Sequence, residues 1–279
     1  MEKVSKSQVK LVKSLQQKKY RDELGLFVAE GEKCVQELVK SFELVHLYRE
    51  GENAGRTEIE QMSGLRTPQG VIAVFKKSLS PKDGLLSLSE AVFEQGDLTL
   101  ALDGIQDPGN MGTIIRTCDW FGVHDIYCSR DTADCYNPKV VQATMGALAR
   151  VHVHYVDLPA WLSNIINHQS EIINHKSEIA IYGTLLDGKN MYEVLEEHRS
   201  LVHSFNVQPS TLSIIVMGNE GNGISPEVRS LITHPIRIPS YPQDGVSGHS
   251  VKKVEAPEVI ESLNVSIATA IVLAEFRRP

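Results

Sequence analysis

Apolar residues recur at helical spacing in some parts of this chain and in short runs in others. Apolar positions among polar neighbours predict a first helix over residues 5–19. The turn-rich stretch 77–97 predicts a linker after a small α/β unit that spans residues 1–76. The other elements predicted in this unit are strands at Leu26–Glu30, Leu44–Tyr48 and Gly70–Phe75 and a helix near Glu32–Lys40.

From residue 98 onward, apolar strands alternate with helical stretches, which is typical of a parallel sheet covered by helices. The predicted strands are Leu98–Leu102, His124–Cys128, Val151–Tyr155, Ile179–Thr184 and Ser213–Met217. Ligands of such sheets bind beyond the carboxyl ends of the strands. The loops after Asp103, Met217 and Ile238 are therefore the candidate sites in a second unit over residues 98–279.

Composition is that of an ordinary globular protein, with 279 residues, 42% hydrophobic and 23% charged. No apolar run is long enough for a membrane span, and the first residues lack a signal core, so we expect a cytoplasmic protein. The cysteines, Cys34, Cys118, Cys128 and Cys135, form no metal-type spacing and indicate reduced structural thiols. No metal site is expected; His168 and His175 belong to a tandem repeat that is better explained as a solvent-facing insertion.

A net charge of −7 argues against a nucleic-acid binder, but the charge is unevenly distributed. The first two dozen residues carry Lys3, Lys6, Lys10, Lys13, Lys18, Lys19 and Arg21. Such a basic arm can contact phosphates, although charge alone favours a solvated helix face.

The loop after Asp103 leads into a helix for which Asn110 is predicted as the N-cap and Gly122 as the terminating residue. The apolar stripe of this helix is Met111, Ile114, Ile115 and Cys118. Arg116 lies off the stripe, so it is either a surface arginine or a guanidinium directed at a phosphate.

The second loop contains Gly218, Gly221 and Gly223, which allow a backbone to approach a ligand closely, with Glu220 among them. Ser225 and Pro226 predict a helix start directly afterwards. The glycine order matches neither a dinucleotide nor a mononucleotide fingerprint. Farther on, Ser262 is predicted to cap a final helix that is apolar almost all round, and therefore buried in a core or in a subunit interface.

Together these segments resemble the signature motifs of the SpoU, or TrmH-like, branch of the SPOUT RNA methyltransferases. The matching residues are Asp107-Pro-Gly-Asn110-x-Gly-x-x-x-Arg116, Gly218-Asn-Glu220-Gly-x-Gly and Ser262-Leu-Asn264-Val-Ser, with Tyr136-Asn-Pro-Lys139-Val-Val and Met145-Gly-Ala147 between them. The resemblance covers nearly the whole chain. The N-terminal unit, with Lys19-Tyr20-Arg21 and Phe27-Val-Ala-Glu30-Gly31, looks like the ribosomal-protein-like substrate-binding domain often attached to this family.

The resemblance implies an α/β catalytic domain with a parallel sheet and a C-terminal trefoil knot, a homodimer, and S-adenosylmethionine as cofactor. By position it implies cofactor contacts at Thr184, Met217, Gly218, Ile238 and Leu263. It implies catalytic or RNA-handling roles for Asn110, Arg116, Glu220, Ser262 and Asn264. A guanidinium does not readily lose its proton, so Arg116 is better suited to hold a substrate phosphate than to act as a base.

The implied reaction is methylation of a ribose 2′-hydroxyl in RNA, with ribosomal RNA favoured as substrate. The alternatives are a transfer-RNA 2′-O-methyltransferase, a methyltransferase for a base, and a catalytically inactive RNA-binding dimer of the same fold. One departure from the family pattern is the polar insertion 240–257, which is either a lid with Lys252 and Lys253 on RNA or a disordered excursion.

Overall fold

The computed structural model describes residues 3–78, 98–167, 179–197, 212–240 and 263–278. Within these ranges the chain forms a three-stranded antiparallel sheet and a six-stranded parallel sheet. The N-terminal unit contains, in order, α1 (Lys6–Ser14), α2 (Lys18–Leu24), β1 (Leu26–Glu30), α3 (Glu32–Leu38), β2 (Leu44–Arg49), α4 (Arg56–Met62) and β3 (Val71–Lys76). Its strand order is β1-β3-β2, and the three strands predicted here are confirmed.

The prediction of one helix over residues 5–19 was wrong, because the chain breaks between α1 and α2. Ser5 begins α1 with a capping box, and the Arg21 Nη1 donates to the carbonyls of Leu15 and Gln16, each at 3.0 Å. These carbonyls would otherwise continue the helix. The helix α4 was not predicted, because its only buried side chains are Ile59 and Met62, too few for a periodic signal.

The second unit carries the parallel sheet, in the order β6-β5-β4-β8-β7-β9. Its elements are β4 (Leu98–Asp103), α5 (Pro108–Trp120), β5 (Asp125–Ser129), α6 (Pro138–Thr144), a 3₁₀ turn (Ala147–Ala149), β6 (His152–Val156), α7 (Leu158–Asn167), β7 (Ile179–Asn190), α8 (191–197), β8 (Leu212–Gly218), α9 (Pro226–Arg229), β9 (His234–Arg237) and α10 (Val265–Phe276). The five predicted strands of this unit are confirmed. The predicted knot stays a prediction, since residues 241–262 lie outside the described ranges.

Helices cover both faces of the parallel sheet, and the side chains of β4 pack alternately against the two layers. Leu100 and Leu102 pack with α5, whose predicted stripe of Met111, Ile114, Ile115 and Cys118 is fully buried. Ala101 packs on the other face, in the cluster that includes Trp161 of α7. The strands therefore have no free face, and the candidate site lies where they end.

The two units share one hydrophobic core. Phe27 and Phe75 of the small sheet belong to the same buried cluster as α5 and α6, and the Tyr136 ring lies 4.8 Å from that of Phe27. Arg21 is 2% exposed and donates to Asp134 Oδ2 from Nε and Nη2, at 3.1 and 2.7 Å. Arg21, counted above with the basic arm, is therefore a structural residue of the seam between the units, where its guanidinium has no access to RNA.

All four cysteines are buried free thiols. Burial raises the pKa of Cys34 to about 11 and that of Cys135 to about 12, so both remain protonated at neutral pH. In the part of the chain that is described, no helix has the length and apolar character needed to traverse a bilayer.

We predict that Arg21→Ala lowers the free energy of unfolding by about 3–5 kcal/mol, because it leaves Asp134 without its partner at a buried seam. Urea denaturation measures this, with Lys18→Ala on the exposed face of α2 as control, expected within about 0.5 kcal/mol of the parent. Equal stabilities of the two variants would show that this ion pair does not hold the units together.

Candidate active site

Parallel pairing of β4 with β8 brings the first two candidate loops together, with Asp103 opposite Gly218 at the strand ends. Two side chains then bind the loops to each other. Asp103 Oδ2 accepts a hydrogen bond from the Ser225 backbone at 2.7 Å, and Asn219 Nδ2 donates to the Gly104 carbonyl at 2.7 Å. Sequence reasoning assigned no role to Asp103 or Asn219, although both stand inside the quoted segments at strand ends.

The glycine-rich loop is held in one tight turn. Asn219 Oδ1 accepts from the backbone of Gly221 at 2.9 Å and of Asn222 at 3.0 Å, and Asn219 pairs with Gly223 as a β-bridge. A Cβ on Gly218 would lie 2.4 Å from the Gly223 carbonyl carbon, so only glycine fits there. The turn therefore presents Glu220 at its exposed tip, in a fixed place.

The N-cap of α5 is Asp107, and the prediction of Asn110 for that role was wrong. Asp107 Oδ1 accepts from the Asn110 backbone at 2.8 Å, because the helix begins three residues earlier than predicted, with Pro108 in its first turn. The Asn110 carboxamide is therefore not used as a cap. Gly122, with φ +66°, follows the end of the helix as predicted.

The Asn110 side chain instead connects all three candidate segments. Its Nδ2 donates to Glu220 Oε1, and its Oδ1 accepts from Asn264 Nδ2 at 3.0 Å. We call these three residues the polar chain. The structure thus brings three of the predicted site residues, Asn110, Glu220 and Asn264, into direct contact across 110 and 154 residues of sequence, and their catalytic roles stay a prediction.

The cap of α10 is Asn264, which corrects the prediction that Ser262 caps the final helix. Asn264 Oδ1 accepts from the backbone of Ser266 at 3.0 Å and of Ile267 at 3.4 Å. With its oxygen turned to the helix, the amide directs Nδ2 at Asn110, so one residue starts the helix and holds the polar chain. Ser262 lies outside the described residues.

Arg116 is exposed on α5, six residues after Asn110. At about 100° per residue, this spacing points the two side chains to different sides of the helix. Among the described residues, no hydrogen bond or ion pair joins Arg116 to the polar chain. The structure thus confirms that packing does not account for Arg116, and leaves its guanidinium open to a ligand.

The predicted cofactor residues are Thr184 within β7, Met217 and Gly218 at the carboxyl end of β8, and Ile238 and Leu263 outside the strands. Thr184 Oγ1 donates to the Val216 carbonyl at 3.3 Å and lies 3.7 Å from the sulfur of Met217. Ile238 is half-buried just beyond β9, and Leu263 is 47% exposed beside Asn264. Apolar side chains next to glycine backbone at strand ends suit a nucleoside such as S-adenosylmethionine. Ile238 packs against the buried cluster that includes Met217.

Across the described ranges, no set of three or more His, Cys, Asp or Glu side chains is placed to hold a metal ion. The polar chain contains one carboxylate and two carboxamides, a set suited to hydrogen bonding with sugar and phosphate groups.

We predict that Asn264→Ala lowers the free energy of unfolding by about 1 kcal/mol, because α10 loses its cap. Asn264→Ser retains a capping oxygen and is expected to recover most of that loss in urea denaturation. If serine and alanine destabilise equally, capping is not what this side chain contributes.

Comparison with known proteins finds a family match for each of the two units. Residues 97–245 match the SpoU rRNA Methylase family, and residues 6–54 match the MRM3-like substrate binding domain. Among relatives, the chain is 25% identical to the 23S rRNA (guanosine(2553)-2'-O)-methyltransferase RlmP of Bacillus subtilis (strain 168), over 99% of this chain and 98% of that protein.

Solved structures share the architecture over almost the full length. A structure from Porphyromonas gingivalis, assigned to the TrmH family of RNA methyltransferases, has a TM-score of 0.74 and 32% identity, covering 98% of both chains. The AdoMet-bound rRNA methyltransferase from Sinorhizobium meliloti has a TM-score of 0.71 and 26% identity, covering 99% of this chain and 96% of that one. The expected α/β methyltransferase fold is confirmed. Since the family match spans more than half of the residues, this chain belongs to the SpoU rRNA methylase family.

Proposed function

We propose that this chain transfers a methyl group from S-adenosylmethionine to a ribose 2′-hydroxyl of ribosomal RNA. The observation that carries the proposal is the polar chain, which joins all three family segments at the carboxyl ends of β4 and β8. Relatives support the substrate class: RlmP is by name a 23S rRNA 2'-O-methyltransferase and aligns with this chain nearly end to end. The Sinorhizobium meliloti rRNA methyltransferase supports the cofactor.

Asn110 and Glu220 have unused hydrogen-bond donors and acceptors with which to hold a ribose. Asn110 uses one amide proton and one oxygen lone pair within the polar chain, and so keeps a second of each. Glu220 uses Oε1 for Asn110 and leaves Oε2 to accept the hydrogen bond of a 2′-hydroxyl. Because Asn264 and Glu220 fix the amide from both sides, the hydroxyl would meet groups that are already oriented.

Arg116 would bind a phosphate of the RNA. A guanidinium stays protonated and pairs with phosphate oxygens in a fork geometry, which would set the position of the nucleotide. The proton of the 2′-hydroxyl would then pass to the phosphate or to water, without any change at the arginine.

Thr184, Met217, Gly218, Ile238 and Leu263 would hold the cofactor, and Ser262 is proposed to act beside Asn264. S-adenosylmethionine, when bound, supplies a methyl group on a positively charged sulfur. The chain contributes the backbone of the tight turn at Gly218 and apolar side chains that keep water from the reacting atoms.

We predict that the protein transfers labelled methyl groups to RNA from cells lacking its gene, and that the product linkage resists alkali, as 2′-O-methylated linkages do. Arg116→Ala should lower kcat by about 100-fold or more, because the nucleotide is no longer held in line, while calorimetric affinity for S-adenosylmethionine stays within about twofold.

The control is Arg278→Ala, which removes an exposed arginine just after the carboxyl end of α10 and should keep the parent activity. Full activity of Arg116→Ala would refute its assignment. Alkali-labile product would indicate base methylation, and labelling of transfer RNA alone would change the substrate. Absence of both transfer and cofactor binding would indicate an inactive RNA-binding protein.

We also propose a cytoplasmic homodimer. An apolar stripe is left partly or fully exposed at a spacing of three to four residues: Leu263, just before α10, and Ile267, Ile271 and Ala274 along the helix. The side chain of Ile267 is 54% exposed, which is unusual for an isoleucine unless another protein surface covers it. A second copy would cover the stripe symmetrically. The four free thiols fit a reducing compartment.

We predict that Ile267→Glu yields a monomer, because it places a charge in the proposed interface. Light scattering coupled to size exclusion should give the mass of one chain for this variant and of two for the parent. Lys33→Glu, exposed on α3, should leave the dimer intact. An unchanged dimer in Ile267→Glu would place the interface elsewhere.

A further inference from the structure

A cavity of about 220 Å³ opens at the seam between the two units, beside the start of α5. The residues on its wall that matter here are Gln16, Glu30 and Leu65 from the N-terminal unit and Pro108, Lys139 and Gln142 from the catalytic unit. The polar chain does not reach this cavity, although Glu30, Pro108 and Lys139 on its wall stand within segments that carry the family resemblance.

We propose that the cavity receives one base of the RNA substrate, turned out of its strand, and that it selects a base with an exocyclic amino group. This inference rests on the proposed function, because it names the part of the RNA that the same site reads. Specific recognition of RNA commonly uses splayed-out bases that are hydrogen-bonded along their edges.

The cavity lies at the right place for a base close to the methylated ribose. Pro108 is in the first turn of α5, and Asn110 of the polar chain follows two residues later. Two residues of helix rise about 3 Å and turn about 200°, so the cavity and the polar chain lie on different sides of the same turn of α5, which suits a base of a nucleotide next to the methylated one.

The size of the cavity fits a single flat ring system. Pockets for drug-sized ligands begin at about 300 Å³, and one water occupies about 30 Å³. At about 220 Å³ the space lies between these limits, which leaves the sugar and phosphate of the nucleotide outside.

The buried Glu30 carboxylate supplies the selectivity. It is 5% exposed and accepts from Ser63 Oγ and from the Gly64 backbone, both at 2.6 Å. Each oxygen uses one lone pair in this way, so a second on each remains for an N–H donor. Guanine, adenine and cytosine offer an amino group, whereas uracil has none.

Two carboxamides and an ammonium group complement the carboxylate. The Gln16 Nε2 is buried without a hydrogen-bond partner in the described part of the chain, a costly state that a base carbonyl or ring nitrogen would relieve. The last torsion of glutamine is soft, so this amide can turn toward an occupant. Gln142 adds a second amide from α6, and the exposed Lys139 faces the phosphate side.

The two sides of the cavity are held in a fixed relative position by a buried side chain at the seam between the units. Arg21 Nη1 donates to the Gln16 carbonyl at 3.0 Å while Nε and Nη2 of the same guanidinium bind Asp134. The backbone of one wall is thereby attached to the catalytic unit, and a preorganised pocket binds with less loss of entropy.

Short single-stranded RNAs test the proposal directly. Fluorescence anisotropy at about 0.15 M salt would compare hexamers of uridine, adenosine, cytidine and alternating guanosine and uridine on the full chain. At least one amino-bearing hexamer should bind about fivefold or more tighter than the uridine hexamer, the lower end for a paired hydrogen bond to a base.

Variants then assign this preference to the cavity. Gln142→Trp, which fills the space, should abolish the preference and raise KM for rRNA with little change in kcat, whereas Gln36→Trp on exposed α3 should change neither. Lys139→Gln should weaken all hexamers alike. Equal binding of all hexamers by the parent, or a preference that survives Gln142→Trp, would overturn the proposal.

The hexamer binding assay and the methyl-transfer assay distinguish failure of this proposal from failure of the proposed function. A hexamer preference without 2′-O-methylation would reject the proposed function and keep the pocket. Methylation without any preference would keep the function and reject the pocket.

Discussion

The parallel pairing of β4 with β8 is the constraint on which the whole site depends. It sets Asp103 opposite Gly218, and from these positions Asp103 and Asn219 each bind the other strand's loop at 2.7 Å. These bonds replace backbone partners that the strand ends have lost, in a region where the sheet is covered on both faces. A shift of one residue in this register would reverse the side-chain alternation of β8 and separate the two loops.

From this frame the site is built with few parts. The loop at Gly218 is a tight turn because no side chain fits against Gly223, so Glu220 is presented rather than packed. Asn110 is free for Glu220 because Asp107 caps the helix, and Asn264 reaches Asn110 because its own oxygen caps α10. Capping thus does two things here: it stabilises helices and directs the amides that the proposed reaction needs.

The N-terminal unit is not a freely tethered module. A shared core around Phe27 and Tyr136, and the buried Arg21–Asp134 pair, fix its orientation to the catalytic unit. A fixed seam places its surface beside the first turn of α5, so that both units can contact one RNA strand. The basic residues at the start of this acidic chain have two different roles. Several of the lysines are exposed, where they can contact RNA phosphates, whereas Arg21 is buried and structural.

The sequence by itself was sufficient for the parallel α/β unit and its strands, because periodicity is a local property. The motif resemblance singled out Asn110, Arg116, Glu220 and Asn264 as candidate site residues, and their roles stay predictions. Sequence-based prediction misplaced both caps, since Asp107 and Asn110, or Ser262 and Asn264, are equally good capping types and only the backbone path selects one. It merged α1 with α2, because the group that ends α1 is the guanidinium of Arg21, whose position depends on Asp134. It also did not reveal Asn219, Asp103 or the cavity at the seam. These depend on contacts between residues up to 122 positions apart, which only the tertiary structure decides.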